Sequence, residues 1–135
     1  MIQIKIGSSR MAPKGSVVII LNEKNEILLL KRGSTAPWAP DKWSPPGGQV
    51  ETNETPKEAA IREAYEETCL KVKDLKKVDL KVDTLCGIYY TSDYVGNVKL
   101  DFEHTDWAWV SRDNMGGYDL APNVLKLYDW VLSND

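Results

Sequence analysis

Residues 48–70, GQVETNETPKEAAIREAYEETCL, decide the fold, because they join a glycine turn to a clearly marked helix. Thr55 is a capping residue, proline follows at the first helical position, and Glu58 stands at the third. This is the capping-box pattern, in which the threonine and glutamate side chains satisfy free backbone N–H groups at the helix start. The pattern predicts a helix from Pro56 to about Thr68.

The predicted helix carries acidic residues on one face. At 100° per residue, Glu63, Glu66 and Glu67 fall within about 100° of arc. Like charges one turn apart repel each other, and a divalent cation that bridges them removes the penalty. Carboxylate oxygens are ligands that suit Mg²⁺ or Mn²⁺. The opposite face is predicted to pack on a sheet through Ile61, Ala64, Tyr65 and Thr68.

The acidic face alone leaves two interpretations open, since a helix with E-x-x-E-E is more often a solvated surface than a metal site. The wider spacing favours the metal site: Gly48, five residues, Glu54, seven residues, Arg62-Glu63, two residues, Glu66-Glu67. Chance occurrence of this pattern in a chain of this length is on the order of 10⁻⁵, taking average residue frequencies.

The pattern resembles the signature of the Nudix hydrolases at every charged position, and residues 43–48 (WSPPGG) are similar to the family's W-x-x-P-G-G lead-in. The resemblance covers most of the chain and implies an α/β fold, a Nudix-type α/β/α sandwich with a central mixed β-sheet. Two positions depart from the family pattern. Cys69 replaces the usual glycine, and Ala64 stands where a larger aliphatic residue is common. A cysteine in the left-handed turn that glycine normally makes there would cost about 1 kcal/mol.

The resemblance implies an Mg²⁺-dependent pyrophosphohydrolase, with Mn²⁺ as a substitute metal. Water would attack a phosphorus of a nucleoside diphosphate linked to another group, in a nucleotide sugar such as ADP-ribose, a dinucleoside polyphosphate or a nucleoside triphosphate. The resemblance also implies the metal ligands, which are the Gly48 carbonyl, Glu63, Glu66, Glu67 and Glu103. The segment 103–109 (EHTDWAW) is similar to the family's E-H-x-x-x-x-W segment. Glu103 is the first candidate for the general base, with Glu63 or Glu66 as alternatives, and Arg62 orients a carboxylate.

Substrate contacts are predicted outside the helix. Arg32 is a candidate phosphate ligand, Gly47 allows close approach of the backbone, and Trp38 and Tyr90 are candidates for stacking on a nucleobase. The proline-rich loop around Trp38 is the segment expected to move on binding. The remaining aromatic candidates are assigned to the core: Trp43, Trp109 and Trp130.

Hydrophobic patterning predicts the other elements. We expect strands at residues 1–7, at 84–90, at 98–102 and at 107–110, and a hairpin formed by 16–21 and 26–31 around the turn 22–25. The lysine-rich stretch 70–82 is typical of a solvated strand edge or connector. Residues 123–132 show the stripe of an amphipathic helix.

Composition limits the classes of function. The 135 residues fit a single domain, 1–135, and 42% hydrophobic with 27% charged residues is typical of a globular chain. A net charge of −3 argues against a nucleic-acid partner, including the RNA-processing alternative. Two cysteines and one histidine exclude a structural zinc site. No apolar run is long enough for a membrane anchor or a signal peptide, so a cytoplasmic protein is expected. The family resemblance implies a small nucleotide substrate as its partner. A homodimer stays open.

A second class of function is a non-catalytic nucleotide sensor on the same fold. The complete set of glutamates disfavours it, because Nudix sensors often lose these carboxylates. A panel of pyrophosphate compounds assayed with Mg²⁺ separates the two classes.

Overall fold

A computed structural model describes residues 13–82 and 85–135 of the chain. Its strands are β1 (Gly15–Ile20), β2 (Ile27–Arg32), β3 (Trp43–Ser44), β4 (Gly47–Gln49), β5 (Lys71–Lys73), β6 (Lys76–Lys77), β7 (Cys86–Thr91), β8 (Asp93–Val95) and β9 (His104–Val110). The helices are α1 (Pro56–Thr68) and α2 (Val124–Asn134), with a 3₁₀ turn at Arg112–Gly117. The strand expected at 1–7 lies outside the described residues. No helix in the described ranges is both long and apolar enough to cross a membrane.

The strands form a mixed arrangement. One sheet has the order β4-β1-β7-β6, a second has the order β3-β2-β9, and β5 pairs with β8. Strand β1 runs parallel to β7 and antiparallel to β4, so β4 and the glycines it carries are fixed at the edge of the first sheet. The sequence at the start of α1 is thereby attached directly to this sheet edge.

Side chains of alternate strand residues divide the core into two halves. Val18 and Ile20 point to one face of β1 and join the cluster that includes Ala60 and Ala64 of α1. Ile19 points to the other face, into the cluster that α2 completes. This alternation is the period of a strand with both faces covered. Helices therefore cover the strand layer on both sides, which confirms the predicted α/β/α architecture.

The hairpin prediction was correct for the two strands and the turn but wrong for their pairing. A turn at Asn22 to Asn25 joins β1 to β2, and the bridge Leu21–Ile27 is antiparallel. Beyond that bridge the strands diverge, because β1 pairs with β4 and β7 while β2 pairs with β3 and β9. Each strand has a stronger partner elsewhere in the chain.

The capping box at the start of α1 is confirmed. The Glu58 amide donates to the Thr55 hydroxyl at 3.1 Å, and the Thr55 amide donates to the Glu58 carboxylate at 2.8 Å. The predicted packing face is only half right, because Ala64 and Thr68 are fully buried while Ile61 is 38% and Tyr65 49% exposed. Small side chains let the helix approach the sheet closely. The buried stripe of α1 is rotated toward Glu67 relative to the predicted one.

The strand predicted at 98–102 is wrong. Residues 97–100 have no regular secondary structure, although Val98 and Leu100 do pack against the core on the α1 side. The Lys99 amide donates to the Thr68 carbonyl at 2.9 Å, and the Asp101 amide donates to the Glu67 carbonyl at 3.2 Å. Alternate amides are therefore used to satisfy the carbonyls at the end of α1, which an isolated helix leaves free.

Cys69 ends α1 in the left-handed conformation, with φ 64° and ψ 12°. The Cβ atom makes this conformation unfavourable for a non-glycine residue. We expect Cys69→Gly to stabilise the fold by about 0.5 kcal/mol, since relief of strain outweighs the larger entropy of the unfolded glycine. Urea unfolding of the two proteins measures the difference. A loss of stability would show that the Cys69 side chain contributes more packing than strain.

Candidate active site

The site is built where α1 crosses the edge strand β4. The Gly47 amide donates to the Glu67 carboxylate at 3.2 Å, so the strand and the helix are joined by a charge-assisted hydrogen bond. The Glu63 carboxylate lies over Gly48, and a Cβ atom at Gly48 would overlap it. Glycine at this position lets the Glu63 carboxylate approach the backbone closely, and a larger residue would displace the end of the Glu63 side chain. The prediction that Gly47 contacts substrate is not tested by this geometry, in which its amide already has an acceptor.

Arg62 fixes the acidic residues around the helix. Its guanidinium forms a two-pronged ion pair with Glu54, at 2.7 and 3.0 Å, and donates to the Gln49 carbonyl at 2.9 Å. Its third nitrogen lies 3.0 Å from Glu66 and 3.2 Å from Glu63. Hydrogen bonding to Glu54 raises the pKa of Arg62, and the same contact with Arg62 lowers the pKa of Glu54. This network supports the predicted role of Arg62 in orienting carboxylates.

Glu63 and Glu67 form a buried acidic pair. Only 6% of Glu67 and 14% of the Glu63 side chain are exposed, and the two residues stand one turn apart on α1. Burial raises the pKa of Glu67; the Gly47 amide opposes that shift, and the charge of Glu63 adds to it. Burial also raises the pKa of Glu63, against the effect of Arg62. The state in which both of these carboxyl groups are charged is unfavourable unless a positive charge compensates them.

The donor chemistry of the pair fits a divalent cation. Most of the surface of these hard carboxylate oxygens is withdrawn from water, and among the described residues the ion pair of Glu63 with Arg62 is the only one that either carboxylate makes. No group of three or more His, Cys, Asp or Glu side chains in the described ranges is already arranged to hold a metal. Glu66 explains part of this result, because it is 56% exposed and turns toward Arg62.

Glu103 lies at the start of β9, and its side chain is exposed. Its carbonyl accepts from the Gly33 amide at 3.2 Å, which ties the segment before β9 to the loop after β2. The structure brings a different carboxylate to the helix. Asp101 is bonded to Glu67 through its backbone, and its side chain lies 2.8 Å from Nδ1 of His104. Sequence reasoning missed Asp101; the available signal was the three-residue spacing from Asp101 to His104.

Arg32 and Trp38 form one unit. The Arg32 Nε donates to the Trp38 carbonyl at 2.6 Å, and its guanidinium carbon lies 5.1 Å from the centre of the Trp38 ring. Trp38 is 52% exposed. This cation–π contact holds a flat aromatic surface at the end of β2. Two of the four residues that sequence analysis assigned to the substrate are therefore adjacent to each other.

Tyr90 is not brought to the carboxylates. It is 6% exposed and packs in the core cluster on the α2 side, with its ring edge against Trp130 at 6.0 Å. Its neighbour Tyr89 points to the α1 side instead. Successive residues of a strand face opposite sides of the sheet. Tyr90, which was predicted to stack on the base, therefore faces away from α1, and the residue next to it faces α1. The core assignments of Trp43, Trp109 and Trp130 agree with their packing against the two core clusters.

Comparisons with known proteins agree with this geometry. The model of the family described as NUDIX domain matches residues 11–131. A MutT-like protein of Streptomyces ambofaciens is 31% identical over 124 residues, covering 82% of this chain and 71% of that protein. A MutT protein structure from Methanosarcina mazei superposes with a TM-score of 0.73 at 28% identity, covering 92% of this chain and 96% of the other. The chain belongs to the Nudix family.

A shorter match has a higher identity. A Bacillus subtilis protein named as a putative 8-oxo-dGTP diphosphatase is 45% identical over 58 residues, which is 43% of this chain. The match spans 36% of the length of that relative.

Proposed function

We propose that this chain is a metal-dependent pyrophosphohydrolase that cleaves a nucleoside diphosphate linked to another group, by attack of water on phosphorus. The observation that carries the proposal is the buried Glu63–Glu67 pair against the Gly47-Gly48 strand. A bound Mg²⁺ or Mn²⁺ would neutralise the phosphate charge and lower the pKa of a coordinated water. The family membership and the relatives named as diphosphatases support the same reaction.

The residues of the chain have separate roles in this proposal. Glu63, Glu67 and the Gly48 carbonyl would hold the cation, with Glu66 and Glu103 as further ligands. Arg62 keeps Glu63 and Glu66 in place through its ion pairs, anchored on Glu54. Glu103 remains the first candidate for the general base, since its exposed carboxylate is free to meet a water.

The substrate is proposed to place its base near Trp38. The Arg32–Trp38 unit offers a positive charge for a phosphate and an exposed ring for stacking. Phe102 is 96% exposed in the segment that a Glu103–Gly33 hydrogen bond joins to the Trp38 loop. An exposed aromatic ring on each of two joined loops suits a flat nucleobase. We therefore favour a nucleotide over inorganic or sugar pyrophosphates.

A panel assay tests the proposal. Nucleoside triphosphates (including 8-oxo-dGTP), ADP-ribose and dinucleoside polyphosphates are incubated with the chain and Mg²⁺ or Mn²⁺, in ¹⁸O-labelled water. The expected result is metal-dependent release of a nucleoside monophosphate, and the product that carries ¹⁸O identifies the phosphorus attacked. If no compound is cleaved but one binds, the chain is a nucleotide sensor and the hydrolase proposal is wrong.

A further inference from the structure

The segment before β9 is fixed to the end of α1 by its backbone. Lys99 and Asp101 donate to the last carbonyls of the helix, at 2.9 and 3.2 Å. Val98 and Leu100, which alternate with them, pack against the core on the α1 side. A segment bonded at every second amide and packed at the residues between has little freedom to move. Whatever side chain it carries next to Glu67 is therefore held in a defined place.

The residue that this segment places at the end of α1 is Asp101. Only 14% of its side chain is exposed, and its carboxylate lies 2.8 Å from Nδ1 of His104, whose side chain is 8% exposed. His104 is itself fixed, since it begins β9 and pairs with Arg32 of β2. Asp101 is thus fixed at both ends: its amide donates to the Glu67 carbonyl at 3.2 Å, and its carboxylate is held by His104.

We infer that Asp101 and His104 are positioning residues of the metal site: His104 orients the Asp101 carboxylate on the segment that is hydrogen-bonded to the end of α1, and Asp101 increases the affinity of the site for a divalent cation. The inference rests on the proposed function for the identity of the site, but it concerns cation binding and not hydrolysis. It adds Asp101 as a second loop carboxylate of the site, next to Glu103, to which the family resemblance pointed. Residues that orient or surround metal ligands typically contribute 10- to 100-fold to metal affinity, as an order of magnitude.

A purely structural role for the pair is the competing explanation. The Asp101–His104 contact could serve only to fasten the segment before β9, and its loss would then lower stability without a specific effect on the cation. The side chain of asparagine separates the two explanations at position 104, because its amide nitrogen can replace Nδ1 as the donor. Phenylalanine keeps the ring volume and removes the donor.

The test measures Mn²⁺ binding to the full chain by electron paramagnetic resonance of the free ion, together with thermal unfolding. We expect Asp101→Asn and His104→Phe to raise the Mn²⁺ dissociation constant by about tenfold and about threefold or more, respectively. His104→Asn should bind Mn²⁺ like the unaltered chain. Asp79→Asn, an exposed change in the connector before β7, is the matched control and should have no effect.

Two outcomes would overturn the inference. They are unchanged Mn²⁺ affinity in Asp101→Asn, and an equal loss in His104→Asn and His104→Phe. If Asp101→Asn does not fold, the two His104 variants still decide. Because the readout is binding of the metal alone, a chain that hydrolyses no pyrophosphate but loses Mn²⁺ affinity in Asp101→Asn would refute the proposed function and leave this inference standing.

Discussion

Replacing Glu67 by glutamine is expected to lower turnover by two or more orders of magnitude, which corresponds to about 2.7 kcal/mol or more of lost transition-state stabilisation. Glutamine keeps the size of the side chain and can still accept the hydrogen bond from the Gly47 amide. It removes the negative charge that makes Glu67 a strong ligand for a divalent cation. The fold should therefore survive while the chemistry is lost.

The measurement is the rate of product release on whichever compound of the panel is cleaved, with unfolding temperature recorded alongside. Glu23→Gln is the control, because Glu23 is exposed in the turn after β1 and far along the chain from α1. Turnover within tenfold of normal in a folded Glu67→Gln protein would remove Glu67 from the metal site. A fall in unfolding temperature would instead show that its charge supports the fold.

The local signals for α1 were sufficient to predict it from sequence. Its start is defined by the capping box and Pro56, and its end by the position of Cys69, so both bounds agree with the structure. The orientation of the helix was harder to predict. Ile61 and Tyr65 are larger than Ala60 and offer more apolar surface to bury, yet they are exposed, because the close approach of α1 to the sheet selects small side chains.

In the candidate site, too, the local features were predicted from the sequence and the long-range contacts were not. The Glu63–Glu67 pair and the role of Arg62 follow from helical spacing, which is a local property. The residues that contact α1 from elsewhere in the chain cannot be predicted from helical spacing. The contact of Asp101 with α1 depends on a segment that looks like a strand in sequence but uses its amides to satisfy helix carbonyls. The position of Tyr90 on the α2 side was not predicted, because the side of the sheet that a residue faces depends on strand register, and a shift of one residue reverses it.

Without a cation, the Glu63–Glu67 pair should make the protein less stable as the pH rises. Burial raises the pKa of both carboxyl groups in the folded state above the ordinary value of about 4.3 for glutamate. Between the ordinary and the raised pKa, the folded chain therefore holds more protons than the unfolded chain. The free energy of unfolding falls across that window and stops falling above the raised pKa. Glu67→Gln removes one of the two groups, so its unfolding temperature should depend less on pH and exceed that of the unaltered chain at pH 8.

Addition of Mn²⁺ should reverse this loss, because a cation that binds only the folded state stabilises it. At pH 8 and a cation concentration some tenfold above its dissociation constant, the gain is about 1.4 kcal/mol, or about 5 °C in a domain of this size. The gain should be smaller at pH 5, where protons compete for the carboxylates, and absent in Glu67→Gln. Differential scanning fluorimetry in chelator and in Mn²⁺ across this range makes the measurement. An equal rise in unfolding temperature in both proteins would place the cation away from Glu67. Without metal, the unaltered chain could instead gain more stability with rising pH than Glu67→Gln does. That result would mean that the Glu63–Glu67 pair is not an uncompensated buried charge.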